Sequence, residues 1–115
     1  MDPYNDGFMS YGENQPIYSS TGKRLGASFL PSGRFAYTEM SIRDQDYQMV
    51  DTLGRTLDMK ITTMYPPHFE SLQRDRLTSF KVKVKNTLYE VVSADKDRNK
   101  SEIFWYLQKV GDERE

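Results

Sequence analysis

The run Ile103–Phe104–Trp105–Tyr106–Leu107 constrains the fold more than any other stretch of the chain. Polar residues flank it, DKDRNKSE before and QKVGDERE after. A strand sends successive side chains to opposite faces, so five consecutive apolar residues ask for cover on both sides. One face is expected to line the interior of a small barrel. A chain of 115 residues has material for one modest core, so the other face is expected under the N-terminal segment or against another subunit.

Residues 81–97, KVKVKNTLYEVVSADKD, read as two strands joined by a tight turn. Lys85 and Asn86 form the turn, because Asn accepts positive φ more readily than most residues. That turn sets Val84 opposite Thr87, Val82 opposite Tyr89 and Phe80 opposite Val91 on one face. The other face pairs Lys81 with Glu90 and Lys83 with Leu88. Lys81, Lys83 and Lys85 suit the solvent side of an edge strand, where lysines discourage edge-to-edge pairing. Contact with phosphates is the competing use.

Between residues 33 and 65 the period changes twice. In GRFAYTEMSI, Phe35 and Tyr37 share one face of a strand, and Ala36, Met40 and Ile42 the other. SIRDQDYQMVDTLG then reads as a short helix: Ser41 and Asp44 resemble an N-terminal cap, Tyr47, Val50 and Leu53 form an apolar stripe, and Gly54 ends it. RTLDMKITTMY alternates again, with Leu57, Met59, Ile61 and Tyr65 on one face. Pro66 and Pro67 stop the pairing. The residues up to Ser79 show no clean period and read as a long loop with room for one helical turn.

Residues 1–34 hold five of the seven glycines and three of the five prolines. They read as an extended N-terminal arm with one short strand, Ile17–Ser20, a part of which orders against a neighbour. Residues 35–111 form the β-barrel domain and residues 112–115 a mobile tail. The fold class is mainly β: a small antiparallel barrel or rolled sheet of five to six strands, with one short helix and long loops.

Composition narrows the function. The net charge of −1 gives no basic field of the kind that marks a general nucleic-acid binder. No apolar run approaches a membrane span, and MDPYNDGFMS lacks the pattern of a signal peptide, so no membrane is expected. The absence of cysteine removes disulfides and thiolate chemistry. His68 stands beside Glu70 in YPPHFE, but two ligands do not make a metal site, and a surface or packing role suits this histidine better. DKDRNKSE lacks the glycine and the final Glu spacing of a calcium loop. Asp44 and Asp46 are explained as acids at a helix N-terminus. The expectation is no enzyme, no cofactor and no metal.

Three stretches together carry a resemblance: FAYTEMSIRDQDYQMVDTLGRTLDMKITTMYPP (35–67), FKVKVKNTLYEVVSADKD (80–97) and FWYLQKVG (104–111). Their order resembles the head-closure, or head–tail joining (adaptor), proteins of long-tailed bacteriophages over residues 34–111. The resemblance implies a virion structural protein in the neck between head and tail, made in the host cytoplasm. It implies a homo-oligomeric ring, typically of twelve subunits, below a portal or adaptor protein and above a tail completion protein. Such a ring extends the portal channel, retains packaged DNA, lets DNA pass without sequence-specific binding, and docks the tail. By that analogy Pro66, Pro67, His68, Phe69, Glu70, Arg74, Asp75 and Arg76 belong to a channel or docking loop. Tyr11, Tyr18, Phe104 and Tyr106 are the candidate subunit interface, since an over-apolar last strand and a Tyr-rich arm offer two different faces. The alternative is a small nucleic-acid-binding barrel of the oligonucleotide-binding type, with Tyr89, Trp105 and Tyr106 as stacking platforms.

Overall fold

In a computed structural model, residues 6–64, 74–97 and 101–110 are described. Along the chain come β1 (Gly7–Tyr18), β2 (Arg24–Met40), α1 (Asp44–Thr52), β3 (Met59–Met64), α2 (Arg74–Thr78), β4 (Lys81–Val84), β5 (Thr87–Asp97) and β6 (Glu102–Lys109). The six strands close into an antiparallel barrel in the order β1-β2-β3-β6-β5-β4, with β4 returning to β1.

β6 is the hub of the core. Ile103, Trp105 and Leu107 point into the barrel and are fully buried with Met9, Tyr37, Ile61, Leu77 and Val82. The Trp105 indole N–H donates to Thr63 Oγ1 at 3.0 Å, so the largest core side chain carries no unpaired donor. On the outer face of β6, Tyr106 and Phe104 pack with Val50, Leu57, Val92, Ile42 and Met49. The second face of the apolar run is therefore covered by α1 and the segment after it. This corrects the expectation that the N-terminal segment or another subunit covers it.

The β4–β5 hairpin has the expected turn and register. Lys85 and Asn86 take φ of 51° and 68°, and Val84 pairs with Thr87, Val82 with Tyr89, Lys83 with Leu88 and Lys81 with Glu90. β4 is no edge, however: β1 pairs with it along Met9–Gly12. The lysines have no edge to guard, and their alternation is the solvent side of a closed barrel. Glu90 takes Arg55 as its ion partner, at 2.6 Å.

The largest correction concerns the first third. Where an arm with one short strand at Ile17–Ser20 was expected, β1 and β2 pair over twelve positions from Gly7↔Tyr37 to Tyr18↔Arg24. Their near ends belong to the barrel. Residues 13–18 and 24–30, in contrast, pair only with each other among the described residues. That ribbon runs on for about 20 Å at roughly 3.3 Å per residue. The molecule measures 51 × 30 × 26 Å accordingly.

α1 also differs in its facing. It starts at Asp44 after Arg43, and the Arg43 backbone N–H donates to Asp46 Oδ2 at 3.0 Å, so the cap lies two residues beyond Ser41. Val50 and Asp46 are its buried residues, while Tyr47 and Leu53 are exposed. Asp46 turns inward because Lys60 of β3 meets it there at 3.1 Å. Gly54, at φ 69°, ends the helix as expected.

Candidate assembly surfaces

The residues marked out in the sequence are scattered by the fold. Pro66, Pro67, His68, Phe69 and Glu70 lie outside the described residues. Arg74, Asp75 and Arg76 open α2, whose Leu77 is fully buried in the core. The C-terminal end of the expected loop is thus anchored by a helical turn. Arg76 Nη2 donates to Glu13 Oε2 at 2.7 Å, and its guanidinium stands 5.1 Å from the Phe80 ring centroid. This exposed ion pair ties α2 to the root of the β1–β2 ribbon.

Of the four candidate interface residues, Tyr18 is the most exposed, at 58%. Tyr11 is 7% exposed inside the barrel mouth, stacked on Phe35 at 5.2 Å and edge-on to Phe80 at 5.1 Å. Tyr106 is 7% exposed beneath α1. Burial, with the Asp95 and Asp46 carboxylates nearby, pushes its hydroxyl up to about 12. Phe104 packs beside it and is half-buried. The chain covers these aromatics with its own helix, through Val50 and Met49.

Apart from Met64 at the end of β3, two other surfaces carry the large exposed apolar side chains. The first is the β1–β2 side: Ile17, Tyr18, Leu25 and Leu30 are exposed on the ribbon and Phe8 on the barrel wall. The Arg34 guanidinium lies 4.3 Å over the Phe8 ring, and Lys23 and Arg24 are exposed at the ribbon tip. The second is the outer side of α1, where Tyr47 is exposed between Asp44 and Asp51 and Leu53 is exposed just past the helix. Sequence reasoning missed both. Tyr47 and Leu53 belonged to the wrong helical stripe, and the ribbon leucines were hidden in a segment rich in Gly and Pro. The local signals were Ile17-Tyr18 and Phe29-Leu30, each a pair of large apolar residues in a polar setting.

Among the described residues no group of three or more His, Cys, Asp or Glu side chains could hold a metal ion. Among the same residues no helix is long and apolar enough to cross a membrane. Asp46 is the acid whose setting is most distinctive. Burial alone would raise its pKa, but the Arg43 backbone N–H and the Lys60 ammonium outweigh that and hold the carboxyl below its usual range. Lys60 Nζ also sits 5.3 Å from the Tyr106 ring centroid and 5.8 Å from that of Phe104. This is a structural ion pair under a helix.

No family model matches the sequence, and no curated protein matches it. Among solved structures, a chain from the virion of a native gene transfer agent particle has a similar fold. The likeness covers 91% of this chain and 94% of that one, with a TM-score of 0.52 and 10% sequence identity.

Proposed function

We propose that this chain is a non-enzymatic structural subunit of a phage-like virion, a head–tail connector of the head-closure type located in the neck. The carrying observation is the overlap of its fold, along nearly the whole length of both chains, with a chain from a virion particle. The resemblance in residues 34–111 points to the same kind of particle from the sequence. In this reading copies form a ring, twelve in the virion, with a portal or adaptor protein above and a tail completion protein below. The segment from Pro66 to Ser79 serves as the channel or docking loop, with Leu77 of α2 seated in the core near its C-terminal end.

The barrel is compatible with this role on physical grounds. Its interior is filled by Trp105, Tyr37, Met9 and Ile61, so one subunit is no conduit. A channel has to be enclosed by several subunits. DNA must slide through it, and a chain of net charge −1 avoids the steep binding that many phosphate contacts would bring. The nucleic-acid-binding alternative loses two of its three platforms: Trp105 is fully buried and Tyr106 nearly so, which leaves only the half-buried Tyr89.

Electron microscopy of particles carrying the tagged chain tests the proposal. The expected result is a ring of copies between head and tail, with native mass spectrometry of the isolated neck giving its subunit number. A chain absent from particles, or present only along the tail or on the capsid shell, would overturn it. A monomer that binds single strands with strong salt dependence would favour the alternative.

A further inference from the structure

We propose that the β1–β2 ribbon of one copy lies across the outer side of α1 of a second copy, joining subunits head to tail. The inference rests on the reading of the chain as a ring subunit and names the two surfaces that meet. A two-stranded ribbon with no third strand or helix against it is marginal in water. This one nevertheless exposes Ile17, Tyr18, Leu25 and Leu30. It needs cover, and the described residues of its own chain give it none beyond the root.

The second surface matches the first in character. Asp44, Tyr47 and Asp51 stand at i, i+3 and i+7 and so share one stripe of α1, with Leu53 just past its last turn. The stripe offers apolar area framed by two exposed carboxylates, outweighing Arg43 at the helix start. The ribbon offers Ile17 and Leu30 on one face and Tyr18 on the other, framed by exposed Lys23 and Arg24 at its tip and by Arg34 on the barrel wall. Opposite charges around apolar centres select this pairing over a symmetric one, in which ribbon would meet ribbon and the basic tips would repel.

Topology places the two surfaces on opposite sides of the barrel. In the order β1-β2-β3-β6-β5-β4, β1 stands three strands from β6 in either direction, and α1 covers the outside of β5 and β6. A contact between opposite, non-identical surfaces is not exhausted by one pairing. It leaves a free ribbon at one end and a free helix at the other, and so continues until a ring closes.

The test exploits the absence of cysteine. Tyr18→Cys or Ile17→Cys is combined with Tyr47→Cys or Leu53→Cys in the full chain, and disulfides are formed by mild oxidation both in concentrated solution and in isolated particles. All four positions are exposed, so folding is expected to survive, which circular dichroism checks. The expected result is a ladder of covalent oligomers from at least one double variant, and a single dimer when the two matching single variants are mixed. Adding Asp51→Lys is expected to cut the ladder yield in solution about tenfold, and Lys23→Glu with Arg24→Glu to restore it. A dimer formed mainly by the ribbon cysteine alone overturns the proposal, as does a ladder indifferent to Asp51→Lys, or no linked species from any double variant in solution or in particles. A ladder from a chain that never enters particles would leave this contact standing and remove the connector role. Incorporation into a neck ring without any ladder would do the reverse.

Discussion

Trp105 inside the barrel and Asp46 beneath α1 show what single residues contribute to this fold. The Trp105 ring is fully buried, and Trp105→Ala is expected to lower the unfolding free energy by about 3–5 kcal/mol in a denaturant titration. Thr63→Val keeps the volume but takes away the acceptor of the indole N–H, and is expected to cost about 1–3 kcal/mol. Asp46 works differently, because its contribution depends on charge. Its pKa is lower in the folded chain than the roughly 3.9 of an unfolded one, since the Arg43 N–H and Lys60 outweigh the effect of burial. The ionised carboxylate therefore favours folding. That stabilisation is complete above the unfolded pKa and is lost as pH falls through the lower folded value. Asp46→Asn strands Lys60 beneath α1 and is expected to cost about 3–5 kcal/mol at neutral pH. Thermal melts should show the gap between the two proteins closing below about pH 4. A gap that stayed constant through the acid range would mean that Asp46 contributes through its hydrogen bond alone.

Bulges are the element-scale device that gives the barrel its two layers. Val91 pairs with Leu107 and Ser93 with Tyr106, so Val92 is an extra residue in β5. Val91 and Ala94 thus both face the core, while Val92 turns out to meet α1. β2 has a matching extra residue at Ser32, since Tyr11 pairs with Gly33 and Gly12 with Pro31. Gly33 leaves room there for the Tyr11 ring: a Cβ at this position would stand 2.7 Å from it. Gly33→Ala is expected to displace Tyr11 from its stack on Phe35 at a cost of about 1–3 kcal/mol, read from the melting temperature and the near-ultraviolet dichroism of the tyrosines. These details explain what the sequence disclosed. The 81–90 hairpin was legible because Lys85-Asn86 fixes the turn locally and alternation fixes the faces. The two-sided burial of β6 was legible from five adjacent apolar residues. β1 and β2 were not, since Gly12, Pro16, Gly26, Pro31 and Gly33 are strand-averse by propensity and the pairing that overrides them is supplied by a distant partner strand. The helix stripe misled for a similar reason. Asp46 is buried because of Lys60, fourteen residues away and on another element, so no local period could reveal that Tyr47 faces solvent.

At the scale of the whole molecule, the barrel and the ribbon carry separate duties, and that division can be tested by removing one of them. The core cluster draws on every strand of the barrel, and its β1 and β2 members are Met9, Tyr11 and Tyr37, with Phe35 packed against them. None lies between Glu13 and Leu30. Those two residues are cross-strand partners, so a two-residue Asn-Gly turn placed between them, in exchange for residues 14–29, keeps the register of everything below it. The Arg76–Glu13 pair at the root also survives the exchange. Folding should be nearly indifferent to the change. Surface-exposed chain gives little net stabilisation, and a shorter connection costs less closure entropy. The shortened chain is expected to unfold cooperatively within a few degrees of the parent, and to remain a monomer where the parent joins a ring. Scanning calorimetry reads the first outcome and native mass spectrometry the second. A shortened chain that fails to fold would make the ribbon part of the folding unit, and its exposed Ile17, Tyr18, Leu25 and Leu30 would then need an explanation within the subunit. A shortened chain that still closes rings would move the subunit contact to the barrel wall, where Phe8 under Arg34 is the exposed aromatic that remains.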